Sequence, residues 1–430
     1  MLSLPELILR FGLSFLLVIA LDWYVFQSIR VVAKKALVRY VYWTVNISYL
    51  LVLLLIFLTA GISQGPNSPM LRTAFGGFIL LLAPKIMIAI FLLLEDIYRI
   101  AYAVQKYVKS KLNKIYAPPQ ITNSISLEAH VETLWMPRRE FISKTGIFVA
   151  SLPFLGVAHG LTFGAYNYQV HRIIIRSRYL PDAFNGFRLV QISDIHAGSL
   201  SDKEAVARGI DLILAQEADL IVFTGDLVNN FTKEIEKIFD LLSRLRSPNG
   251  VFSILGNHDY GLYARYSSKE ALLKEQGEMQ AAHKALGWHL LKNQNYFLHK
   301  EGQKIAILGV ENWGRPPFPQ YGDLKVTLEG VEEQCFKILL SHDPTHWDAQ
   351  VLRCKQRIDL TLSGHTHGMQ FGVEIGNFKW SPVSLRYPRW AGLYQEGEKY
   401  LYVNRGFGFI GFPGRIGIFP EITVITLSRA

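Results

Sequence analysis

Four long, nearly uncharged stretches occupy the first 170 residues and restrict what this part of the chain can form. They are residues 11–26, 40–62, 74–94 and 145–166. Asp22 is the only charged residue of the first stretch, and Lys85 is the only one of the third. Each stretch approaches or reaches the roughly 20 residues that an α-helix needs to cross a bilayer. The sequence therefore predicts four transmembrane helices, and Lys85 is an intramembrane charge whose partner the sequence does not name.

Basic residues flank these stretches unevenly, which predicts the orientation in the membrane. The chain carries a formal net charge of +10, and much of it falls in the first and third loops. Loops rich in Lys and Arg stay on the cytoplasmic side, so the N-terminus and the region after residue 170 are predicted to lie outside. Because this positive charge lies mainly in loops that flank the membrane spans, it sets the membrane orientation, and we expect no nucleic-acid partner. The basic residues are Arg30, Lys34, Lys35 and Arg39 in the first loop, and Arg99, Lys106, Lys109, Lys111, Lys114, Arg138, Arg139 and Lys144 in the third.

The segment before the fourth stretch resembles a twin-arginine export signal. It reads Arg-Arg-Glu-Phe-Ile-Ser-Lys over residues 138–144. The resemblance implies a bacterial inner-membrane protein, engagement of the twin-arginine export machinery and an extracytoplasmic domain. A plain basic flank of a membrane helix is the alternative, and whether the fourth helix is cleaved stays open.

Five short apolar runs in the second half of the chain each end in residue types that bind metals. If these runs are strands of one α/β domain, their ends meet in the crevice where such folds place their sites. Packing alone does not explain why Asp, Asn or His follows an apolar run five times. The runs are residues 191–196 (QISDIH), 223–226 (FTGD), 254–259 (ILGNHD), 339–342 (LLSH) and 362–367 (LSGHTH).

This residue set suits a site for two divalent cations. Two cations about 3.5–4 Å apart need a shared carboxylate, and Asp226 can offer one oxygen to each. Asp194 and His196 are two residues apart, so both side chains can turn to one side of an extended chain. Asn257 offers a neutral oxygen, which leaves His258 for the substrate.

Taken in order, these motifs resemble the calcineurin-like metallophosphoesterase family over about residues 186–428. The resemblance implies an α/β sandwich of two mixed sheets flanked by helices. It also implies two divalent cations, whether Mn, Fe, Zn, Ni or Mg. It assigns one cation to Asp194, His196, Asp226 and His367, and the other to Asp226, Asn257, His342 and His365.

The implied reaction is hydrolysis of a phosphodiester, phosphomonoester or pyrophosphate by metal-activated hydroxide. His258 would protonate the leaving group, and Asp259 would either orient His258 or cap the next helix. Arg415 is a candidate phosphate contact, because a guanidinium group matches phosphate geometry. Two other functions stay open: hydrolysis of a lipid-linked nucleotide such as UDP-2,3-diacylglucosamine, and a metal-binding sensor without catalysis.

The predicted organisation has four parts. Residues 1–116 hold three transmembrane helices, residues 117–141 form a cytoplasmic linker, residues 142–170 form the fourth helix, and residues 171–430 form the catalytic domain. Cys335 and Cys354 both fall in the catalytic domain, as a disulfide or as two thiols. The predicted partners are the lipid bilayer and a phosphate ester, which tethering to the membrane suggests is amphiphilic.

Overall fold

The computed structural model describes residues 4–63, 69–116, 138–376 and 378–430, which form two compact units. The helical unit comprises Met1–Thr59 and Gly77–Ala158, and the sandwich unit comprises Ala60–Gly76 and His159–Ala430. Most of the predicted linker 117–141 lies outside the described residues. Its last residues, from Arg138 on, belong to a helix.

Four long helices confirm the predicted apolar spans. Each contains a stretch long and apolar enough to cross a membrane. The third extends over 48 residues, far beyond the roughly 20 residues that a bilayer requires. The helices are α1 (Leu4–Val32), α2 (Ala36–Ser63), α3 (Pro69–Tyr116) and α4 (Arg138–Thr162).

The helical unit contains a buried polar cluster that supplies the missing partner of Lys85. The ammonium nitrogen of Lys85 lies 2.6 Å from Asp22 Oδ1 on α1 and 2.5 Å from Asn46 Oδ1 on α2. The hydroxyl of Tyr42 donates to Asp22 Oδ1 over 3.2 Å. One charge pair and its hydrogen bonds thus join three helices, as expected for ionisable side chains placed inside an apolar bundle.

The sandwich unit contains two six-stranded mixed sheets and a separate two-stranded hairpin. The first sheet has the order β1-β14-β2-β3-β4-β5, and the second has the order β12-β13-β9-β8-β7-β6. The strands are β1 (Gln169–Ser177), β2 (Arg188–Ile192), β3 (Leu220–Phe223), β4 (Val251–Ser253), β5 (Trp288–Leu290), β6 (Gln294–Lys300), β7 (Gln303–Gly309), β8 (Phe336–Leu340), β9 (Leu360–Ser363), β10 (Val373–Ile375), β11 (Phe378–Trp380), β12 (Gly392–Glu396), β13 (Lys399–Val403) and β14 (Glu421–Arg429). The remaining helices are α5 (Lys203–Leu214), α6 (Phe239–Leu242), α7 (Lys269–Ala285) and α8 (Leu324–Thr327).

The two sheets share a core between their inner faces, which confirms the predicted sandwich. Val222 and Phe252 from the first sheet belong to the same buried cluster as Ile307 and Ile338 from the second. A second cluster joins the first sheet to helices such as α5, which begins where Asp202 accepts a hydrogen bond from the backbone N–H of Ala205.

Strand direction brings the candidate ligands together. Strands β2, β3 and β4 run parallel in the first sheet, and β8 and β9 run parallel in the second. The residues just past their carboxyl ends therefore lie at one edge of the sandwich. Cys335 and Cys354 are unbonded thiols, so the alternative without a disulfide describes this structure.

Candidate metal centre

Six side chains of metal-binding type converge in two groups. The ligand atoms of Asp194, His196 and His367 lie within 4.8 Å of one another, and so do those of Asp226, His342 and His365. Asp226 Oδ2 joins the groups, because it lies 3.2 Å from His342 Nε2 and 3.5 Å from His196 Nε2. Asp226 Oδ2 therefore lies between the two ligand groups, within reach of imidazole nitrogens from both.

Five of these residues adopt a backbone conformation that side chains with a Cβ rarely tolerate. Their φ angles are positive: 53° at Asp194, 47° at His196, 61° at Asp226, 70° at His365 and 50° at His367. Such conformations cost of order 1–3 kcal/mol each and persist where the surrounding structure enforces them. All five residues follow the end of a strand by two to four positions, and their side chains meet in the two ligand groups.

Burial and proximity shift the pKa values of the central pair in opposite directions. Burial alone raises the pKa of Asp226, but His342 and His258 outweigh it and hold that pKa well below its ordinary range. Burial lowers the pKa of His342, yet the charge of Asp226 prevails and raises it to about 10. Burial lowers the pKa of His196 and keeps its imidazole neutral. Ionised carboxylates beside imidazoles are an environment that favours bound cations.

The loop after β4 supplies Asn257 and His258. The main-chain N–H of His258 donates to Asp226 Oδ1 over 2.8 Å, and His258 Nδ1 lies 2.7 Å from the carbonyl oxygen of Asn229. Asp259 neither touches the His258 ring nor caps a helix as expected. Its carboxylate instead accepts main-chain N–H bonds from Asp226, Leu227 and Gly256 over 2.7–2.9 Å, which fixes the turn after β3.

The donor set fits divalent cations. Asn257 Oδ1 is a buried oxygen without a hydrogen-bond partner among the described residues, although its amide nitrogen donates to Tyr263 over 2.9 Å. A buried oxygen without a partner is costly unless something else binds it. It lines one cleft of about 320 Å³ with His196, Asp226 and His365. Mixed carboxylate, imidazole and amide donors suit several first-row divalent ions and Mg²⁺.

Sequence relationships agree with this geometry. The profile of calcineurin-like phosphoesterases matches residues 187–369. A second profile, described as a probable calcineurin-like phosphoesterase transmembrane domain, matches residues 6–165. The uncharacterized metallophosphoesterase YkuE of Bacillus subtilis is 33% identical over 309 residues, covering 68% of this chain and 98% of YkuE. The chain belongs to the calcineurin-like metallophosphoesterase family.

Two further relatives extend the family assignment. Phosphodiesterase YaeI of Escherichia coli is 26% identical over 296 residues, which cover 67% of this chain and 98% of YaeI. A transmembrane protein with a metallophosphoesterase domain from Danio rerio is 30% identical over 280 residues, 63% of this chain but only 60% of that relative. This metallophosphoesterase is therefore a hydrolase of phosphoric esters with apolar membrane-spanning helices.

Arg415 of the metallophosphoesterase occupies a position that does not fit its predicted contact with substrate. Its side chain is fully buried. The guanidinium donates to the carbonyl oxygens of Gly408 and Arg405 over 2.6 and 2.7 Å, and it lies 3.1 Å from His367 Nδ1. With its donors used inside the fold, Arg415 orients His367 and the loop around residue 408.

The structure adds residues around the cleft that sequence reasoning missed. Tyr387 contacts His365 Nε2 over 2.9 Å, and Phe318 packs edge-on against the same ring. Arg386 lines the cleft beside them. These residues follow no recognisable motif, so only the fold brings them to the centre.

Sequence reasoning also missed a set of hydrogen bonds that holds the residues next to His258. Arg72 in α3 donates to Ser199 Oγ over 2.6 Å and to the carbonyl oxygen of Gly198 over 2.7 Å. The side-chain amide of Asn229 lies 2.9 Å from the same hydroxyl. The main-chain carbonyl oxygen of Asn229 lies against His258 Nδ1. Ser199 and Asn229 therefore connect Arg72 to His258 through successive hydrogen bonds.

Proposed function

We propose that this metallophosphoesterase hydrolyses phosphate esters at a centre of two divalent cations. One cation is assigned to Asp194, His196, Asp226 and His367, and the other to Asp226, Asn257, His342 and His365. The observation that carries the proposal is the position of Asp226 Oδ2 within 3.5 Å of imidazole nitrogens from both ligand groups. When bound, two such cations neutralise phosphoryl oxygens and lower the pKa of water.

The chain's own residues set the geometry of the proposed reaction. His258 Nδ1 is engaged with the Asn229 carbonyl, which fixes the ring and directs Nε2 away from that bond. Because His258 lines the cleft, Nε2 can donate a proton to the departing ester oxygen. Arg386 also lines the cleft and offers a guanidinium to phosphoryl oxygens, which is the role first expected of Arg415.

The test is hydrolysis of bis(p-nitrophenyl) phosphate and p-nitrophenyl phosphate by the detergent-purified full chain with Mn²⁺. Activity that a chelator removes and Mn²⁺ restores is expected, and Asp226→Ala should abolish it. His258→Ala should lower kcat by roughly 10²–10⁴-fold while Mn²⁺ binding persists, as for loss of a general acid. The preferred ester separates a diesterase from a monoesterase.

Failure has a distinct signature in the same assay. If the chain binds two equivalents of Mn²⁺ and cleaves neither ester, the proposed broad esterase activity is refuted. Equal hydrolysis by the wild type and Asp226→Ala would instead refute the assignment of the centre. Repeating the assay with Zn²⁺, Fe²⁺, Ni²⁺ and Mg²⁺ identifies the ions that support catalysis.

We further propose that the sandwich unit lies outside the cytoplasm, anchored in an inner membrane. The basic residues of the third loop, such as Arg99 and Lys144, support this orientation, because such loops stay on the cytoplasmic side. Export through the twin-arginine machinery, which carries folded proteins, suits a domain loaded with metal before transport. A reporter fused after Ala430 tests the orientation. Digestion of a green fluorescent reporter by protease added to spheroplasts supports it, whereas a reporter that stays protected in cells with intact twin-arginine export contradicts it.

A further inference from the structure

The β10–β11 hairpin has its apolar side chains on the outside. Val373 pairs with Trp380 and Ile375 pairs with Phe378, so these four side chains share one face of the hairpin. Their exposed fractions are 40%, 46%, 72% and 62%, respectively. Antiparallel sheets in water normally turn the apolar face toward the core and the polar face toward solvent. This hairpin does the reverse.

The polar face of the hairpin is bonded to the rest of the sandwich unit. Glu374 and Lys379 pair across the strands on the face opposite the apolar residues. Glu374 Oε1 lies 2.5 Å from Arg405 Nη2, and Lys379 Nζ donates to the carbonyl oxygen of Ala391. These ion-pair and hydrogen-bond contacts hold the hairpin in the inverted orientation, so its outward apolar face is built into the fold.

The exposed apolar surface continues beyond the hairpin. Met369 and Phe371 precede β10 with exposed fractions of 58% and 44%, and Leu385 after β11 is 90% exposed. Exposed apolar side chains grouped in this way mark an interaction site more often than chance exposure. We call this surface the apolar patch; its members are Met369, Phe371, Val373, Ile375, Phe378, Trp380 and Leu385.

The apolar patch is linked to the ends of two membrane-spanning stretches through the loop of residues 412–416. Phe371 forms a β-bridge with Ile416, and the neighbouring N–H of Arg415 donates to the carbonyl oxygen of Gly160 over 3.2 Å. Gly160 is in the apolar stretch Glu140–Thr162 of α4. All of these residues belong to the sandwich unit.

The start of α3 meets the same loop. A Cβ placed on Gly76 would lie 2.9 Å from Pro413 Cγ and 2.9 Å from Leu161 Cδ2, so the absence of a side chain permits this close packing. Gly76 falls in the apolar stretch Met70–Leu112. The loop therefore packs against the start of α3 and the end of α4 within the sandwich unit, and the apolar patch extends from it.

We propose that the apolar patch inserts into the bilayer surface next to the start of α3 and the end of α4. The occupant is lipid, because the patch continues from segments that are themselves suited to hydrocarbon. Trp380 suits the membrane interface, where aromatic rings of this kind concentrate. The exposed Arg386, adjacent to Leu385, suits anionic head groups. Shallow insertion of an apolar face by about 5–10 Å is typical of interfacial segments.

Insertion would bring the metal cleft to the level of lipid head groups. Leu385 of the apolar patch is followed directly by Arg386 and Tyr387, which line the cleft. Phosphate esters of amphiphiles would then reach the centre without leaving the membrane. This consequence rests on the proposed hydrolytic function, whereas insertion itself is tested without catalysis.

The test places a fluorescent probe on the apolar patch of the full chain. Ile375→Cys in a Cys335→Ser/Cys354→Ser background is labelled with a nitrobenzoxadiazole maleimide and reconstituted in phosphatidylethanolamine–phosphatidylglycerol vesicles. Lipids brominated near the head-group end of the acyl chain should quench its emission strongly, since the probe would reach the shallow acyl region. Phe378→Cys provides a second probe position if the first variant does not fold.

Leu273→Cys on α7 is the matched control, because Leu273 is also apolar and is 56% exposed. Its probe should retain its emission in the same brominated vesicles. Strong quenching at position 375 with none at position 273 supports insertion. Equal quenching at both positions, or none at either, overturns it. Because the readout needs no substrate, an inactive but inserted chain would refute the hydrolytic proposal and leave the apolar patch as proposed.

Discussion

Buried charges in the helical unit and at the metal centre are satisfied in opposite ways. Asp22, Lys85 and Asn46 lie on regular helices and complete one another, with the ammonium group between two oxygens. At the metal centre, Asp194 and Asp226 sit at positive φ, and their oxygens converge with imidazole nitrogens. The first cluster needs nothing further, whereas the second gathers lone pairs that a cation would satisfy. Backbone strain accompanies only the second of these two.

The largest expected effect tests whether cations complete the metal centre. His342→Ala should reduce hydrolysis of bis(p-nitrophenyl) phosphate by roughly ten-thousandfold, about 5 kcal/mol, because one cation loses a ligand. Metal analysis should show the bound Mn²⁺ falling from two equivalents toward one.

His346→Ala is the matched control for that substitution. His346 is equally buried, but its ring nitrogens are bonded to Ser341 and Gln350 over 2.8 and 3.2 Å. Its metal content should stay at two equivalents. If His342→Ala keeps both equivalents and its activity, the centre does not depend on His342 and the contrast between the two clusters fails.

The next prediction tests whether the helical cluster is self-sufficient. Asp22→Leu or Lys85→Leu alone should lower the free energy of unfolding by about 3–4 kcal/mol, because each leaves an unpaired buried charge. The double variant Asp22→Leu/Lys85→Leu should recover most of the loss. Unfolding of the full chain in mixed detergent micelles provides the measurement. Additive losses in the double variant would show that the two charges act separately.

A cluster can be predicted from sequence when its members lie close to recognisable motifs along the chain, and not when they come together only through packing. The metal ligands follow their strands by two to four residues, so short motifs were enough to identify Asp194, Asn257 and His365. Lys85 and Asp22 lie on different helices, and their pairing depends on how those helices pack. Arg415 was misjudged because its exposure depends on the fold of its surroundings.

The inverted hairpin was equally out of reach of the sequence. Residues 373–375 and 378–380 alternate apolar and polar side chains, and such a strand pattern does not state which face meets the core. The contacts of Glu374 and Lys379 decide it. Long-range ion pairing and hydrogen bonding therefore set the orientation of this hairpin.

The sandwich unit also contains a buried charge pair, Arg405 with Glu421, that is complete without a cation. Glu421 is fully buried and bonded to Arg405, Tyr402 and Thr423 over 2.5–2.6 Å. Burial raises the pKa of Glu421, but Arg405 outweighs it and lowers that pKa from 4.5 to about 2. Because the folded pKa lies below the unfolded one, the stabilisation is present above pH 4.5 and disappears as the pH falls toward 2.

Glu421→Gln should therefore be less stable than the wild type by about 3 kcal/mol near pH 7, as expected from a shift of this size. The difference should shrink as the pH falls below 4.5, where the wild-type carboxylate also begins to lose its advantage. Thermal unfolding of metal-free protein across this range gives the measurement. A difference independent of pH would mean that shape, and not charge, holds Glu421 in place.

The smallest expected effect lies where the metal centre meets its fully bonded surroundings. Asn229→Ala removes the side-chain amide that contacts Ser199 Oγ over 2.9 Å. Without this contact, the main-chain carbonyl of residue 229, which binds His258 Nδ1, is held less firmly. We expect kcat to fall roughly tenfold with little change in KM, because outer residues of such centres contribute about 10–100-fold. Asn249→Ala is the control, since its side-chain amide makes a hydrogen bond of the same length, 2.9 Å, to the carbonyl oxygen of Asp219. In a His258→Ala background, Asn229→Ala should have no further effect on kcat if it acts only through that ring. An undiminished tenfold loss in that background would show that Asn229 supports the metal ligands. Asn229 would then belong to the metal centre and not to its fully hydrogen-bonded surroundings.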